Sequence, residues 1–437
     1  MERHYVSEIS PSMDGNTVNV YGWVESIRDL GSLKFIVLRD MTGTIQMVVK
    51  KGAIDAGTSK IIDSVSREFV VKVRCLVKKN EKAPGGRELL PKDIEIVSVS
   101  ETNFPTDITD RTKSHLDTRL DWRPLDLRNT KNAAIFRLQS KIVSAFHEFF
   151  QGNGFVHTFT PSIMGNPAES GSEVFPVVYF NKQAFLRQDP QLHRQLTVAG
   201  GLDKVYEIGP SWRAELSHTV KHLCEHRTCA AEIGFIEDEY DVIKLEESMI
   251  VNIFKKLSEN AKNGLETLGV RISAPKAPFP ILEFPEIYGI LESMGKKLKR
   301  GSDLDTESEK LLAKYVMEKY GSEFFFVNKI PFSIKPFYVM RDDETEYARS
   351  VDLYFREIEM SSGGQREHRY DNLMKNIKEK KLDAAGLEWF TKFFKLGGIP
   401  PHGGFSIGIE RLTKQIANIE NVREAVLFPR DPERLVP

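Results

Sequence analysis

Four stretches of this chain concentrate side chains that handle phosphates, carboxylates and metal ions. The first, FVHTFTPSIMGNPAESGSEVF (155–175), brings a β-like run to Pro161 and continues into a Gly/Ser-rich loop with Glu169 and Glu173. The second, GPSWRAELSHTVKHLCEHRTCAAEIGF (209–235), sets Arg213, Glu215, Lys221 and His222 in a polar loop between two β-like runs. In the third, SVDLYFREIEMSSGGQREHRYD (350–371), extended geometry puts Asp352, Tyr354 and Arg356 on one face, with a change of parity before Glu359. Two neighbouring carboxylates suit Mg²⁺ bound together with phosphates, since Mg²⁺ takes one or two carboxylates plus substrate oxygens. The fourth, PPHGGFSIGIERLTKQIAN (400–418), runs a glycine-rich strand into a helix whose first turn carries Glu410 and Arg411. An arginine at such a junction can clamp a phosphate, and glycines let a ligand approach the backbone.

A further stretch, AFLRQDPQLHRQLTV (184–198), is apolar at both ends and polar in its centre, at Gln188, Asp189, Gln191, His193, Arg194 and Gln195. It fits either a surface helix or the wall of a pocket for a small charged molecule. Other chemistries are disfavoured. The chain has no GxxxxGK[ST] and no GxGxxG after a strand, so neither a P-loop nor a Rossmann site is supported. His218, His222 and His226 would share a face on a helix as metal ligands. Cys224 and Cys229 lie off that face, however, and the flanking β-like runs favour a hairpin loop.

These residues need a scaffold. Residues 16–100 alternate apolar and polar in short runs broken by turn signals, Thr42-Gly43 and Ala83-Pro84-Gly85-Gly86 among them. Five strands with one helix-like interruption predict a small barrel, and the OB-fold is the commonest such barrel that binds nucleic acid. Residues 101–130 lack a sustained period and read as a hinge, giving a barrel domain over 1–103, a hinge over 104–130 and a second domain over 131–437. The second domain opens on an amphipathic helix, NAAIFRLQSKIVSAFHEFFQGNGF, stopped by Gly152-Asn153-Gly154. Its strands are not each followed by a helix, so α+β with an antiparallel sheet is expected, with a small helical insertion around 258–330.

The chain has 437 residues and is 41% hydrophobic and 28% charged, with a formal net charge of −1. Nucleic-acid contact must therefore come from local basic patches. Three cysteines without a CxxC pair fit a reducing compartment, and no run approaches a membrane span, so a cytoplasmic protein without membrane contact is expected.

In their order and spacing, the four stretches resemble the motifs of class II aminoacyl-tRNA synthetases, specifically the archaeal-type aspartyl enzymes. FTP with Pro161 resembles motif 1, WRAE…KHLCE motif 2, GGFSIGIERL motif 3, and VREAVLFPRDPERLVP the closing signature. The resemblance covers the whole chain. It implies an anticodon-binding OB barrel, a catalytic domain dimerising through motif 1 around Pro161, and a two-step reaction of aspartate with ATP and then tRNA. It also implies roles. Arg213 would hold the α-phosphate and the substrate carboxylate, Glu215 the adenine edge, and Lys221 and His222 the outer phosphates. Arg411 would clamp the γ-phosphate, with Leu223, Glu359 and Gly408 completing the nucleotide site. Asp352, Glu359 and Ser362 would carry Mg²⁺. Glu169, Asp189, Gln191, Arg194, Arg213, Ser362 and Arg366 would surround the amino acid, with Arg194 and Arg366 facing its side-chain carboxylate. Two such cations favour aspartate over asparagine. In the barrel, Phe35, Gln46, Glu88 and Pro84 fall at anticodon-binding positions. Pro84 and Glu25 replace the Lys and Trp types of strict tRNA(Asp) enzymes, which implies that tRNA(Asn) is charged too.

The chain also departs from the pattern. QDPQLHR stands for QSPQLYK, placing Asp189 for Ser and Arg194 for Lys, and Lys221 stands for the usual Arg. CAAE stands for IDxE, leaving Ala230 where the family's ammonium-binding Asp is found. The paired loss and gain suggest that this carboxylate has moved to Asp189. For an aromatic surface beneath adenine, His226 and Phe235 are the candidates. Competing expectations are a paralogue that activates asparagine or another small acid, and a catalytically silent RNA-binding relative.

Overall fold

The computed structural model describes residues 2–101, 103–109, 112, 114–165, 174–215, 220–343 and 345–437. The chain divides into two compact units, Met1–Pro105 and Thr106–Pro437.

The first unit is a closed five-stranded barrel in the order β1-β2-β3-β5-β4. Its strands are β1 (Thr17–Asp29), β2 (Leu33–Asp40), β3 (Gly43–Lys50), β4 (Val70–Lys79) and β5 (Arg87–Ser98), with α1 (Ala56–Ser64) between β3 and β4. Strict alternation builds it. Val18, Val20, Ile36, Leu38, Ile45, Met47, Val71, Val73 and Leu89 point into one core, and the residues between them face outward.

In the second unit, the stretch expected as a hinge carries two short helices, α2 (Leu116–Asp121) and α3 (Arg123–Asp126). They are pinned by charge, so no apolar stripe betrays them in the sequence. Arg123 is fully buried, donating to Asp126 at 2.7 Å and to the carbonyls of Glu424 and Val426 at 2.8 Å each. The elements that follow are α4 (Thr130–Gly152), β6 (Val156–His157), β7 (Ile163–Met164), β8 (Pro176–Tyr179), β9 (Lys182–Leu186) and α5 (Gln191–Ala199). A hairpin of β10 (Lys204–Trp212) and β11 (Glu225–Gly234) leads to α6 (Glu239–Asn260) and α7 (Lys262–Leu268). Next come β12 (Ile281–Glu283), α8 (Phe284–Ser293), α9 (Thr306–Tyr320) and β13 (Phe324–Asn328). The chain closes with β14 (Ser350–Phe355), β15 (Ile358–Gln365), α10 (Tyr370–Glu379), α11 (Glu388–Leu396), β16 (His402–Gly408) and α12 (Ile409–Ala417).

Among the described residues the main sheet has eight strands, ordered β12-β13-β14-β15-β16-β11-β10-β6. Its centre is antiparallel as expected, but each edge strand is parallel to its neighbour, β6 to β10 and β12 to β13. The stretch expected as a helical insertion thus also supplies the strands β12 and β13. Phe324–Val327 is buried throughout, and such a run has no period to separate strand from helix.

Alternation gives the sheet two unlike faces. Cys229, Ala231, Val351, Leu353, Phe405 and Ile407 enter the large core shared with α4, α6 and α12. Their neighbours in sequence, Thr228, Ala230, Glu232, Asp352 and Ser406, take the opposite face. That polar face floors the cleft described next.

Candidate active site

Two adjoining pockets open on the polar face of the sheet. The first, of about 160 Å³, is lined by Arg213, Glu215, Lys221, His222, Leu223, Glu359, Gly408 and Arg411, with His226, Thr228 and Glu410 beside them. The expected nucleotide residues therefore converge from the loop after β10, the β14–β15 turn region and the start of α12. The second pocket, of about 280 Å³, is lined by Gln191, Lys335, Tyr338 and Arg366 among others. Gln188, Asp189, Arg213 and Ser362 line both. Arg213, at the end of the β10 strand, stands where the two pockets meet.

In the first pocket, where the resemblance expects the nucleotide, the charges are loosely held. Arg411 lies 3.9 Å from the Glu359 carboxylate and donates to its backbone carbonyl at 3.2 Å. Burial, and then the charge of Asp352, raise the Glu359 carboxyl to about 7. Glu410 is raised to about 7 by burial, although the backbone N–H of Arg227 donates to both its oxygens at 3.0 and 3.1 Å. His226 is lowered to about 4 by burial and by the cations Arg213 and Arg411, so it is neutral at physiological pH. It lines the pocket, whereas Phe235 is 71% exposed and does not. Lys221 reaches out of the pocket to Glu309 on α9 at 2.8 Å.

The second pocket, where the resemblance expects the amino acid, is walled by a paired network. Arg366, from the end of β15, donates to Glu232 at 2.9 Å, to Gln191 at 3.1 Å and to the Gly404 carbonyl at 2.9 Å. Gln191 in turn donates to Glu232 at 2.8 Å. Gly404 is required here, because a Cβ would come within 2.5 Å of the Glu232 carboxylate. At this position the glycine admits a buried side chain, not a ligand.

Two placements differ from expectation. Arg194 does not line either pocket. It is 1% exposed, donates to Asp189 and bonds Gln191 at 2.9 Å. Its guanidinium is drawn inward because Asp189, just before α5, offers the nearest carboxylate. Asp352 is held away from the nucleotide pocket by Lys335, whose ammonium donates to both its oxygens at 2.9 and 2.7 Å, and by Ser362 at 2.7 Å. Lys335 itself escaped the sequence reading: it sits before Pro336 in a stretch without period, and only its pairing with Asp352 marks it. Glu169 and His218 lie outside the described residues.

Among the described residues, no group of three His, Cys, Asp or Glu side chains is arranged to hold a metal ion by itself. A metal bound here would need ligands from a substrate. Nor is any described helix long and apolar enough to cross a membrane.

On the barrel, Ile36 and Met47 point into the core, so Phe35 and Gln46 stand on the outer surface of the adjacent strands β2 and β3. Glu88, next to the inward Leu89, faces outward on β5 and accepts from Asn80 at 2.8 Å. Pro84 is exposed at the turn before β5. Core packing does not explain Phe35, because its inward neighbours fill that role.

This combination of a five-stranded barrel, a mixed sheet with an antiparallel centre and a charged cleft is that of a class II aminoacyl-tRNA synthetase. The family of class II tRNA synthetases for D, K and N matches residues 115–432, and an OB-fold nucleic acid binding domain matches residues 18–97. The chain belongs to that synthetase family. It is 43% identical to the aspartate–tRNA(Asp) ligase of Pyrococcus furiosus, over 100% of both chains. It is 40% identical to the aspartate–tRNA(Asp/Asn) ligase of Methanopyrus kandleri, over 99% of both. Among solved structures it resembles the asparaginyl-tRNA synthetase of Pyrococcus horikoshii complexed with asparaginyl-adenylate, with a TM-score of 0.93, 31% identity and full coverage of both chains. The aspartyl-tRNA synthetase of Entamoeba histolytica gives a TM-score of 0.88 at 30% identity, over 100% of this chain and 93% of that one.

Proposed function

We propose that this chain ligates L-aspartate to tRNA(Asp), and also to tRNA(Asn), through an aspartyl-adenylate formed from ATP. One observation carries the choice of amino acid. The second pocket presents three cations, Arg213, Lys335 and Arg366, and one carboxylate, Asp189. Aspartate carries the complement, two carboxylates and one ammonium. Lys335 and Arg366 keep Asp352 and Glu232 beside them with either substrate, but asparagine would forgo the charge-assisted hydrogen bonds that a second carboxylate makes with them. The full-length relatives that bear the aspartate name support the same choice.

In the first step a substrate carboxylate oxygen attacks the α-phosphorus of ATP, and pyrophosphate leaves with the electrons of the broken P–O bond. Arg213, shared by both pockets, binds the attacking carboxylate and the α-phosphate together, so it aligns the two and offsets charge in the transition state. Arg411 and His222 face the outer phosphates, and Lys221 joins them once it leaves Glu309. Glu215 and Leu223 border the base. In the second step the acyl group passes to a ribose hydroxyl of tRNA, whose anticodon is read by Phe35, Gln46, Glu88 and Pro84. Stacking of a splayed base on an aromatic is the usual mode for single-stranded RNA.

Mg²⁺ fits as a companion of ATP. Glu359 and Ser362 line the nucleotide pocket and would supply its protein oxygens, and phosphate oxygens the rest. When bound, the ion neutralises phosphate charge. Asp352 joins the set only if Lys335 releases it. For the subunit contact, Phe159, two residues before Pro161, and Val178 and Phe180, in and just after β8, are 81–91% exposed, which supports a homodimer through this region.

Pyrophosphate exchange into ATP, run with aspartate, asparagine and other small acids, tests the reading. Exchange with aspartate and aspartylation of both tRNA(Asp) and tRNA(Asn) transcripts are expected. Exchange with asparagine alone would reassign the substrate.

A further inference from the structure

We propose that Arg194 is a positioning residue. It holds the Asp189 carboxylate above Ala230, where that carboxylate accepts the substrate's α-ammonium, and it takes no part in binding the substrate's carboxylates. This rests on the aspartate reading above.

The argument begins on β11. Thr228, Ala230 and Glu232 form its cleft-facing row, since Cys229 and Ala231 enter the core on the other side. Thr228 lines the nucleotide pocket, and Glu232 belongs to the network behind the amino-acid pocket. Between them, at Ala230, β11 offers only a methyl group. The residue opposite Ala230 on β16 is Ser406, and its hydroxyl donates to Asp189 Oδ2 at 3.1 Å. The Asp189 carboxylate therefore stands over the gap at Ala230, although it comes from a different element.

Arg194 explains why it stays there. The guanidinium takes the other carboxylate oxygen, Oδ1, and anchors itself on Gln191 at 2.9 Å. Burial opposes the charge of Asp189, but Arg194 more than offsets this and holds the carboxyl below its ordinary value. An ionised carboxylate has about four lone-pair sites, so both oxygens keep capacity for an ammonium after these two bonds. Arg194 itself has no surface in either pocket, which leaves Lys335 and Arg366 as the cations that meet the substrate's side chain.

The test uses the full-length enzyme, aspartate-dependent pyrophosphate exchange, and succinate as a competitive inhibitor. Succinate has both carboxylates of aspartate and no ammonium. D189N should raise the KM for aspartate by about 30-fold, the scale of a lost charge-assisted hydrogen bond, and leave the Ki of succinate within about 2-fold. R194K, chosen because it keeps the buried charge, should raise the KM for aspartate by about 5-fold, again sparing succinate, since an ammonium cannot reproduce the planar fork. D189S/A230D, which returns the carboxylate from β11, should recover most of the lost KM. The proposal is overturned if D189N leaves the KM for aspartate unchanged, or if R194K weakens succinate as much as aspartate. Wild-type enzyme that exchanges only with another amino acid overturns the aspartate reading instead, and the same variants are then read with that amino acid and its deamino analogue.

Discussion

The two halves of the cleft manage charge in opposite ways. Around the amino-acid half, cations are already matched: Arg366 with Glu232 at 2.9 Å, Arg194 with Asp189, and Lys335 with Asp352 at 2.7 Å. In the nucleotide half, Glu359 and Glu410 are pushed up toward neutrality, and Arg411 stands 3.9 Å from its nearest carboxylate. The difference follows from the ligands. A small amino acid must be told from near isosteres, which calls for a stiff pocket whose polar groups are fixed before binding. ATP brings several negative charges, so its half is completed by what it binds.

The largest expected effect comes from breaking the residue that belongs to both halves. Arg213→Ala should lower pyrophosphate exchange by roughly 10³-fold, about 4 kcal/mol, as for loss of a preorganised donor to a transition-state charge. Arg213 is exposed, so the melting temperature should hardly move. Exchange within 10-fold of wild type would mean that the halves are not joined at this residue.

Next in size is a contrast in stability. Glu232→Gln leaves the Arg366 guanidinium buried beside a neutral group and should cost the catalytic unit about 3–5 kcal/mol by calorimetry. Arg411→Gln, in the loosely held half, should cost within about 0.5 kcal/mol. Equal losses would erase the distinction between a paired and an open half.

A third prediction concerns pH. Glu246, on α6, is fully buried behind β15, where Ser361 donates to it, and burial raises its carboxyl to about 8. An acid whose folded value lies above its unfolded one binds more protons when folded, so stability falls as pH rises between the two values. The wild-type enzyme should therefore lose on the order of 4 kcal/mol between pH 4.5 and 8 through this group. Glu246→Gln should flatten that part of the curve in denaturant titrations. An unchanged slope would exclude Glu246 as its source.

How far the sequence alone reached depends on what kind of interaction fixes each part. Alternation exposed the barrel, and 3.6-residue periodicity exposed α4, because both write burial directly into residue order. The order of the motifs brought Arg213, Lys221, His222, Glu359 and Arg411 to one pocket without any knowledge of the fold. What stayed hidden is set by pairing across the fold. Arg194 and Asp189 are visible as charges, yet nothing in sequence says that the guanidinium turns inward. Likewise Lys335 gains its meaning only beside Asp352, and α2 and α3 only through the carbonyls that Arg123 meets.

The smallest expected effect sharpens the open half most directly. At pH 7 a carboxyl titrating at about 7, as Glu359 does, is close to half protonated. If it gives an oxygen to Mg²⁺, it must ionise, because a metal ligand carboxylate is deprotonated. Binding of ATP with Mg²⁺ should then release roughly half a proton at pH 7, and less at pH 8, where the group is already ionised. Calorimetry in buffers of different ionisation enthalpy reads that proton. Glu359→Gln should abolish the release, whereas Asp352→Asn should reduce it, since the Asp352 charge helps hold the proton on Glu359. Release that survives in Glu359→Gln would place the titrating group elsewhere, with Glu410 the next to examine.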